Sequence, residues 1–72
     1  MRIGELARRA GVNIDTVRYY ERSGVLPVPA RTASGYRDYD PGDLARLHFV
    51  RRAKRLGFTL ALAVELLALG NG

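Results

Sequence analysis

The segment 14–22 carries side chains suited to nucleic acid. Arg18, Tyr19 and Arg22 have the spacing that places them within one turn of a helix, where they form one basic and aromatic surface. In a major groove an arginine bridges the O6 and N7 atoms of guanine, and tyrosine hydroxyls bind phosphates. Of the adjacent Tyr19 and Tyr20, we expect one to be a core residue with a solvated hydroxyl and the other to contact the ligand.

Two further arginines flank a glycine-containing loop. Arg31 precedes the loop and Arg37 follows it, so a hairpin would bring both guanidinium groups to one side. Either arginine alone is ordinarily a solvated charge, but a third basic segment favours a shared anionic partner. That segment is the predicted third helix, whose outer surface we expect to carry Arg46, Arg51, Arg52, Lys54 and Arg55.

The charge balance agrees with a polyanionic partner. Twelve Lys and Arg residues outnumber seven Asp and Glu residues, and the formal net charge is +5. Such a charge attracts nucleic acid or an anionic membrane surface. Every basic residue except Lys54 is an arginine, which suits bidentate contacts but is equally explained by genome composition. A membrane-surface helix is disfavoured, because the apolar face of the third helix is needed for the core.

Catalytic and metal chemistry are not expected. The chain has no cysteine, and its single histidine, His48, lies between two apolar residues, which is typical of a packed histidine. No serine or cysteine nucleophile motif accompanies it, and one histidine with scattered carboxylates does not make a tetrahedral ligand set. We therefore predict a protein that is not an enzyme and that has no catalytic residues, no metal and no cofactor.

Length and hydropathy predict one soluble domain. A chain of 72 residues is too short for two cores, and 47% hydrophobic residues suffice for one. No apolar run approaches the roughly 20 residues that span a bilayer, and the start of the chain lacks a signal-peptide pattern. These features predict a cytoplasmic protein with no membrane partner.

Glycines at the ends of apolar periodic segments predict four helices, because glycine commonly follows a helix in the left-handed conformation. The first runs from about Ile3 to Ala10, and the second, capped by Asn13, runs to about Ser23. Between them there is room only for a tight turn at Gly11, so the two helices must cross sharply. Residues 3–23 are therefore predicted to form a helix-turn-helix.

The remaining chain predicts a wing and a second helix pair. Two prolines, a loop and a β-prone stretch indicate a short hairpin over residues 25–39. Asp40 is predicted to cap the third helix, with the Asp43 carboxylate making the reciprocal bond, and Thr59 is predicted to cap the fourth. The second helix pair then occupies 41–69. The predicted fold class is mainly α: a winged helix-turn-helix of four helices, with a short β-hairpin wing between helices two and three.

Several short motifs in a fixed order resemble the N-terminal domain of MerR-family transcription regulators. The resemblance covers essentially the whole chain, and the joint order and spacing of the motifs make it specific. The motifs are Ile3-Gly4-Glu5-Leu6-Ala7, Gly11-Val12, Thr16-Val17-Arg18-Tyr19-Tyr20-Glu21, Gly24-Val25-Leu26, Gly35-Tyr36-Arg37-Asp38-Tyr39, Asp43-Leu44, Arg46-Leu47 and Leu56-Gly57-Phe58.

The resemblance implies roles for individual positions. Arg18 matches the base-contacting arginine of the recognition helix, with Thr16 and Tyr19 beside it. Asp15 occupies a second recognition position that some relatives fill with a basic residue, and a carboxylate there would repel phosphate or accept from cytosine N4. The positions that match phosphate contacts are Tyr20, Arg31, Tyr36, Arg37 and Lys54.

The resemblance also implies partners. Members of the family are homodimers joined by a long coiled coil, with an effector region beyond it. They bend and untwist promoter DNA so that RNA polymerase can use it. We expect the coiled coil and the effector region to be absent from this chain, and these residues alone to be monomeric or weakly dimeric. Two alternatives stay open: a stand-alone architectural or excisionase-like DNA-binding protein, and a protein-interaction module that uses the apolar fourth helix.

Overall fold

Four α-helices make up the computed structural model of the chain, which describes residues 1–27, 35 and 37–70. They are α1 (Ile3–Ala10), α2 (Ile14–Arg22), α3 (Pro41–Arg55) and α4 (Leu60–Gly70). This order confirms the mainly helical fold class, and the bounds predicted for α1 and α2 and for the second helix pair lie within about one residue of the observed ones. The described residues contain no strand. Much of the predicted wing, including Arg31 and Tyr36, lies outside the described residues.

A tight turn joins α1 to α2, as predicted. Gly11 adopts a left-handed conformation with φ 74°. Its N–H donates to the carbonyl of Arg8, and the N–H of Val12 donates to the carbonyl of Ala7, which satisfies the carbonyl groups at the end of α1. The side-chain oxygen of Asn13 then accepts from the N–H of Thr16 at 2.8 Å, so α2 begins at once.

The predicted caps of the second helix pair are also present. The N–H of Asp43 donates to the Asp40 carboxylate, and the N–H of Asp40 donates to the Asp43 carboxylate, each at 3.0 Å. Pro41 occupies the first turn of α3, where no N–H is needed. At the start of α4 the hydroxyl oxygen of Thr59 accepts from the N–H of Leu62 at 3.1 Å. These local bonds fix where α3 and α4 begin.

One core is shared by the four helices and the chain segments beside them. Tyr39, which precedes α3, is the largest fully buried side chain, and Val25 and Leu26 close the core after α2. Each fully buried leucine or valine contributes about 1.5–3 kcal/mol relative to an exposed one. The buried hydrophobic residues are Leu6, Ala7, Ala10, Val17, Tyr20, Val25, Leu26, Tyr39, Leu47, Val50, Ala53 and Ala63.

Two contacts between distant residues hold α3 and its leading segment against α1. The backbone N–H of Tyr39 donates to the carbonyl of Met1 at 2.7 Å, and the nitrogen of Met1 donates to the carbonyl of Tyr39 at 2.6 Å. The guanidinium of Arg51 donates to the carbonyl of Ala10 at the end of α1. Arg51, expected on the outer surface of the third helix, is therefore half-buried and holds two helices together.

The fourth helix packs on α3 with one face only. Ala63 is fully buried, and Leu60, Val64 and Leu67 pack against the core. The opposite side carries Leu62 and Leu69, which are 38% and 77% exposed. Within the described part of the chain, no helix is both long enough and apolar enough to cross a membrane.

Candidate nucleic-acid interface

The exposed face of α2 is a single stripe of polar and aromatic side chains. Asp15, Arg18, Tyr19 and Arg22 are all exposed, at the spacing that places residues on one side of a helix. The other side of α2 is fixed by Val17, which is fully buried. Because that burial sets the rotation of the helix, the stripe must point away from the core. We call these four residues the α2 stripe.

One tyrosine of the Tyr19–Tyr20 pair is buried in the core, as expected, and the ligand contact of the other stays a prediction. Tyr20 is 6% exposed and takes the core position, whereas Tyr19 is 44% exposed and belongs to the α2 stripe. Their rings are tilted by 53° with centroids 5.5 Å apart, so the buried ring supports the exposed one. The predicted phosphate contact of Tyr20 stays a prediction, and its burial leaves little more than the hydroxyl to make it.

Thr16 begins the recognition surface, but its hydroxyl is already engaged. The residue is half-buried, and its hydroxyl donates to the Asn13 side-chain oxygen at 2.8 Å. That oxygen also accepts the capping bond from the Thr16 backbone. The hydroxyl proton is thus used inside the helix cap, and the hydroxyl lone pairs and the methyl group remain for a base.

A buried carboxylate lies at the end of α2, beside the stripe. Glu21 has a side chain that is only 7% exposed, and it forms an ion pair with Arg37. The Nη1 atom of Arg37 donates to both carboxylate oxygens, at 2.8 and 3.0 Å. The hydroxyl of Tyr39 donates to one of the same oxygens at 3.0 Å. These three side chains, here named the Glu21 cluster, join α2 to the segment that precedes α3.

The cluster perturbs the acid–base properties of its members. Burial, followed by the hydrogen bond to Glu21, raises the pKa of Tyr39 above 10, although the guanidinium of Arg37 opposes this shift. The hydroxyl of Tyr39, followed by the charge of Glu21, raises the pKa of Arg37. At neutral pH the phenol is therefore a neutral donor and the guanidinium a permanent cation.

The basic end of α3 is a separate surface element. Lys54 is exposed in the last turn, together with Arg52 and Arg55. Cations at this end interact favourably with the helix dipole. Within the part of the chain that the structure describes, none of the three forms an ion pair. The structure thus groups the four residues of the α2 stripe on one helix and places Arg37 against the same helix. Lys54 lies on a different helix, α3.

Other features of the described residues are an open cleft and an exposed histidine. An open cleft of about 520 Å³ lies between α1 and the start of α2, and Arg8 and Asp15 are its charged groups. No three His, Asp or Glu side chains of the described ranges gather closely enough to hold a metal ion. The sequence predicted a packed or half-buried His48, but the residue is exposed on α3.

Glu21 was missing from the predicted site residues. A signal for it exists in the sequence: Glu21 follows the buried Val17 by four positions, so it lies on the core side of α2. A carboxylate in such a position requires a charged or hydrogen-bonding partner. The sequence does not say which of several arginines supplies it, because Arg37 lies 16 residues further along the chain.

Comparison with known sequences finds regulatory proteins as relatives. The sequence profile of the MerR HTH family regulatory proteins matches residues 1–69. A mercuric resistance operon regulatory protein of Bacillus cereus is 58% identical over 59 residues, which are 82% of this chain and 45% of that protein. The HTH-type transcriptional regulator ZntR of Escherichia coli strain K12 is 48% identical over 68 residues, which are 94% of this chain and 48% of that protein.

Solved structures share the fold. The transcription regulator PbrR691 from Ralstonia metallidurans CH34, in complex with lead(II), has a TM-score of 0.89 at 45% identity, over 99% of this chain and 56% of that one. HiNmlR, a MerR family regulator lacking the sensor domain and bound to promoter DNA, has a TM-score of 0.79 at 25% identity, over 97% and 55%. The chain spans about half the length of the curated relatives it matches. Because the family profile covers the helix-turn-helix and the second helix pair alike, the chain belongs to the MerR family of helix-turn-helix regulatory proteins.

Proposed function

We propose that this domain binds double-stranded DNA in a sequence-specific manner, as the DNA-binding part of a transcription regulator. The observation that carries the proposal is the α2 stripe: Arg18, Tyr19 and their neighbours are exposed on one side of a helix whose other side is buried. A helix of this kind fits the major groove. The net charge of +5 and the promoter complex of the relative HiNmlR support the same function.

The α2 stripe supplies the base contacts. Arg18 donates to guanine O6 and N7, and Tyr19 lies beside it on the same surface. Thr16 contributes its methyl group to a thymine methyl, or its lone pairs to a base donor. Asp15, exposed in the first turn of α2, accepts from cytosine N4 and disfavours any phosphate near it. The carboxylate should therefore give this chain a target sequence different from that of relatives with a basic residue there.

Phosphate contacts hold the domain in register. Arg37 is 39% exposed, and Lys54 is exposed at the end of α3, so both are available to the DNA backbone. Such contacts make affinity strongly dependent on salt. Tyr20 contributes its hydroxyl. Arg31 and Tyr36 complete the set by family resemblance alone.

The regulatory mechanism we propose is control of DNA shape. A dimer that bends and untwists a promoter repays the deformation energy through its backbone contacts, and RNA polymerase then uses the altered promoter. The homodimer and the polymerase are partners of the full-length regulator that the relatives imply, with the cytoplasm as the place of action. The domain has no catalytic step in this mechanism, and we expect it not to be an enzyme.

Two other functions differ from this one in the surface or the sequence preference that they require. An architectural DNA-binding protein would use the same α2 stripe, and it would differ by showing no preference among sequences. A protein-interaction module would use the exposed leucines of α4, such as Leu62 and Leu69. Relatives that are named as operon and transcription regulators support the regulator over both.

A titration of the chain against a pool of random-sequence duplexes at several salt concentrations, followed by sequencing of the retained DNA, tests the proposal. Enrichment of a half-site or palindrome, with affinity that falls steeply as salt rises, is the expected result. Steep salt dependence without enrichment would favour the architectural function. Failure to retain any duplex at low salt would contradict DNA binding and favour the protein-interaction module.

A further inference from the structure

We infer that Glu21 is a positioning residue for DNA binding: its buried carboxylate holds one end of the Arg37 guanidinium so that the other end is presented to a phosphate. The inference rests on the proposed function. It concerns an acidic residue at the DNA-binding helix of a domain with a net charge of +5, where a negative charge by itself opposes binding.

The carboxylate is fully committed to side chains of the protein. Both oxygens accept from Arg37, at 2.8 and 3.0 Å, and one of them accepts from Tyr39 at 3.0 Å. With 7% of its side chain exposed, Glu21 is shielded from solvent and from DNA. A buried ion pair of this kind is weak evidence for stability, because desolvation of both charges offsets their attraction. A role in orientation explains its presence better than a stabilising one.

Within the described residues, the hydrogen bonds from the guanidinium to Glu21 use only part of its donors. Its bonds to Glu21 come from Nη1 alone, and the hydrogen bonds among the described residues include none from Nε or Nη2. Arginine carries five N–H donors in a rigid plane, of which Nη1 holds two. The Tyr39 hydroxyl engages the guanidinium as well, so at most three donors are left for a ligand. The side chain is 39% exposed, which gives these donors access to a ligand. The two bonds from Nη1 to the carboxylate restrict where these donors can point.

The support beneath the pair is rigid. Tyr39, whose hydroxyl orients the carboxylate, is 1% exposed. Its backbone is bonded in both directions to Met1, at 2.7 and 2.6 Å. The guanidinium is therefore ordered before DNA arrives, and binding does not have to restrain a flexible arginine. Glu21 acts through Arg37, and its own contact with DNA is not required.

The test compares Glu21→Gln with a matched control on α1. Glu5 also pairs with an arginine, Arg9, at 2.9 Å, but both side chains are exposed. Glu21→Gln and Glu5→Gln each remove one negative charge, so general electrostatics predicts equal or tighter DNA binding for both. We expect Glu5→Gln to follow that prediction, and Glu21→Gln to bind a labelled random-sequence duplex roughly three- to tenfold more weakly, with a salt slope shallower by about 0.9.

A double-mutant cycle separates positioning from a general loss of structure. In an Arg37→Gln background we expect Glu21→Gln to cause no further loss of affinity, because the residue it positions is absent. Equal losses in both backgrounds, or tight binding by Glu21→Gln in the native background, would overturn the inference while leaving DNA binding intact. A wild-type chain that fails to bind any duplex would instead overturn the proposed function.

A second variant keeps the inference testable if Glu21→Gln does not fold. Arg37→Lys retains the charge but replaces the two-ended fork by a single ammonium group, which cannot serve the carboxylate and a phosphate with fixed geometry. We expect it to bind the duplex more weakly with a shallower salt slope, at unchanged net charge. Wild-type affinity and slope for Arg37→Lys would show that sharing of the fork is not needed.

Discussion

Two arginines of α2, Arg18 and Arg22, have the same charge and are both exposed, but they have different expected roles. Family resemblance places Arg18 on a base, while Arg22 lies one turn further along, near the end of the helix. A base contact contributes to the difference between target and random DNA, whereas a phosphate contact contributes equally to both. The ratio of the two affinities is therefore the quantity that identifies a base-contacting side chain.

We predict that Arg18→Ala weakens binding to the selected target by about 1–3 kcal/mol and changes binding to random duplex far less, because a guanine contact is lost. Competition titrations with both duplexes measure this difference. The control is Arg8→Ala, which removes the same charge from an exposed position on α1. Equal losses on target and random DNA for Arg18→Ala would contradict the assignment.

Asp15 offers a second prediction at the start of the same helix. Asp15→Asn replaces an acceptor for cytosine N4 by a side chain that pairs with adenine N6 and N7. We expect the sequences selected from a random pool to change at one base pair of each half-site while the salt dependence changes little. Identical selected sequences for the variant and the wild type would exclude Asp15 from base recognition.

The four helices depend on short-range caps and on the turn between α1 and α2, whose backbone conformation at Gly11 favours glycine. Gly11 has φ 74°, and a Cβ atom added there would lie 3.2 Å from the Nη1 atom of Arg51. That same guanidinium donates to the carbonyl of Ala10. Arg51 therefore lies beside the turn between α1 and α2 and also attaches α3 to α1.

We predict that Gly11→Ala lowers the free energy of unfolding by about 1–2 kcal/mol, because a side chain in the left-handed region is strained and Arg51 must also move. Urea denaturation measures the loss. Gly4→Ala is the matched control: Gly4 is helical, nothing lies within 4 Å of its added Cβ, and the substitution should stabilise by up to about 1 kcal/mol. A Gly11→Ala variant as stable as the control would refute the strain argument.

The whole molecule combines the α2 stripe, the proposed site of DNA binding, with an exposed apolar surface on α4. Leu62, Leu66 and Leu69 follow one another at helical spacing on the side of α4 away from the core, and Leu69 is 77% exposed. Such a stripe invites association between molecules. Three leucines, however, cover far less than the roughly 800 Å² per partner of a standard stable interface.

We therefore predict that the chain of 72 residues is monomeric or weakly dimeric at micromolar concentration. Sedimentation equilibrium over a range of concentrations measures this. Any weak association should disappear in a Leu62→Gln, Leu69→Gln double variant, whose α4 still buries Ala63. A tight wild-type dimer at micromolar concentration would contradict the prediction.

Much of the architecture follows from residues that interact with near neighbours in the chain. The Asp40–Asp43 cap, the Asn13 cap and the turn at Gly11 are formed by groups within about five residues, so sequence alone predicts them. The apolar spacing that buries Val17 likewise predicts which side of α2 is exposed. The exposure of Arg18 and Arg22 was predictable for this reason, whereas the choice between Tyr19 and Tyr20 was left open.

Other features depend on residues that meet only when the chain has folded. Tyr20 rather than Tyr19 is buried because the helix is rotated by its packing on the shared core. Arg37 pairs with Glu21 across 16 residues, and Arg51 reaches Ala10 across 41. A pattern of types and spacings cannot choose one partner among many equivalent arginines, because that choice is made by distance in three dimensions and by the cost of leaving a buried carboxylate or carbonyl without a donor.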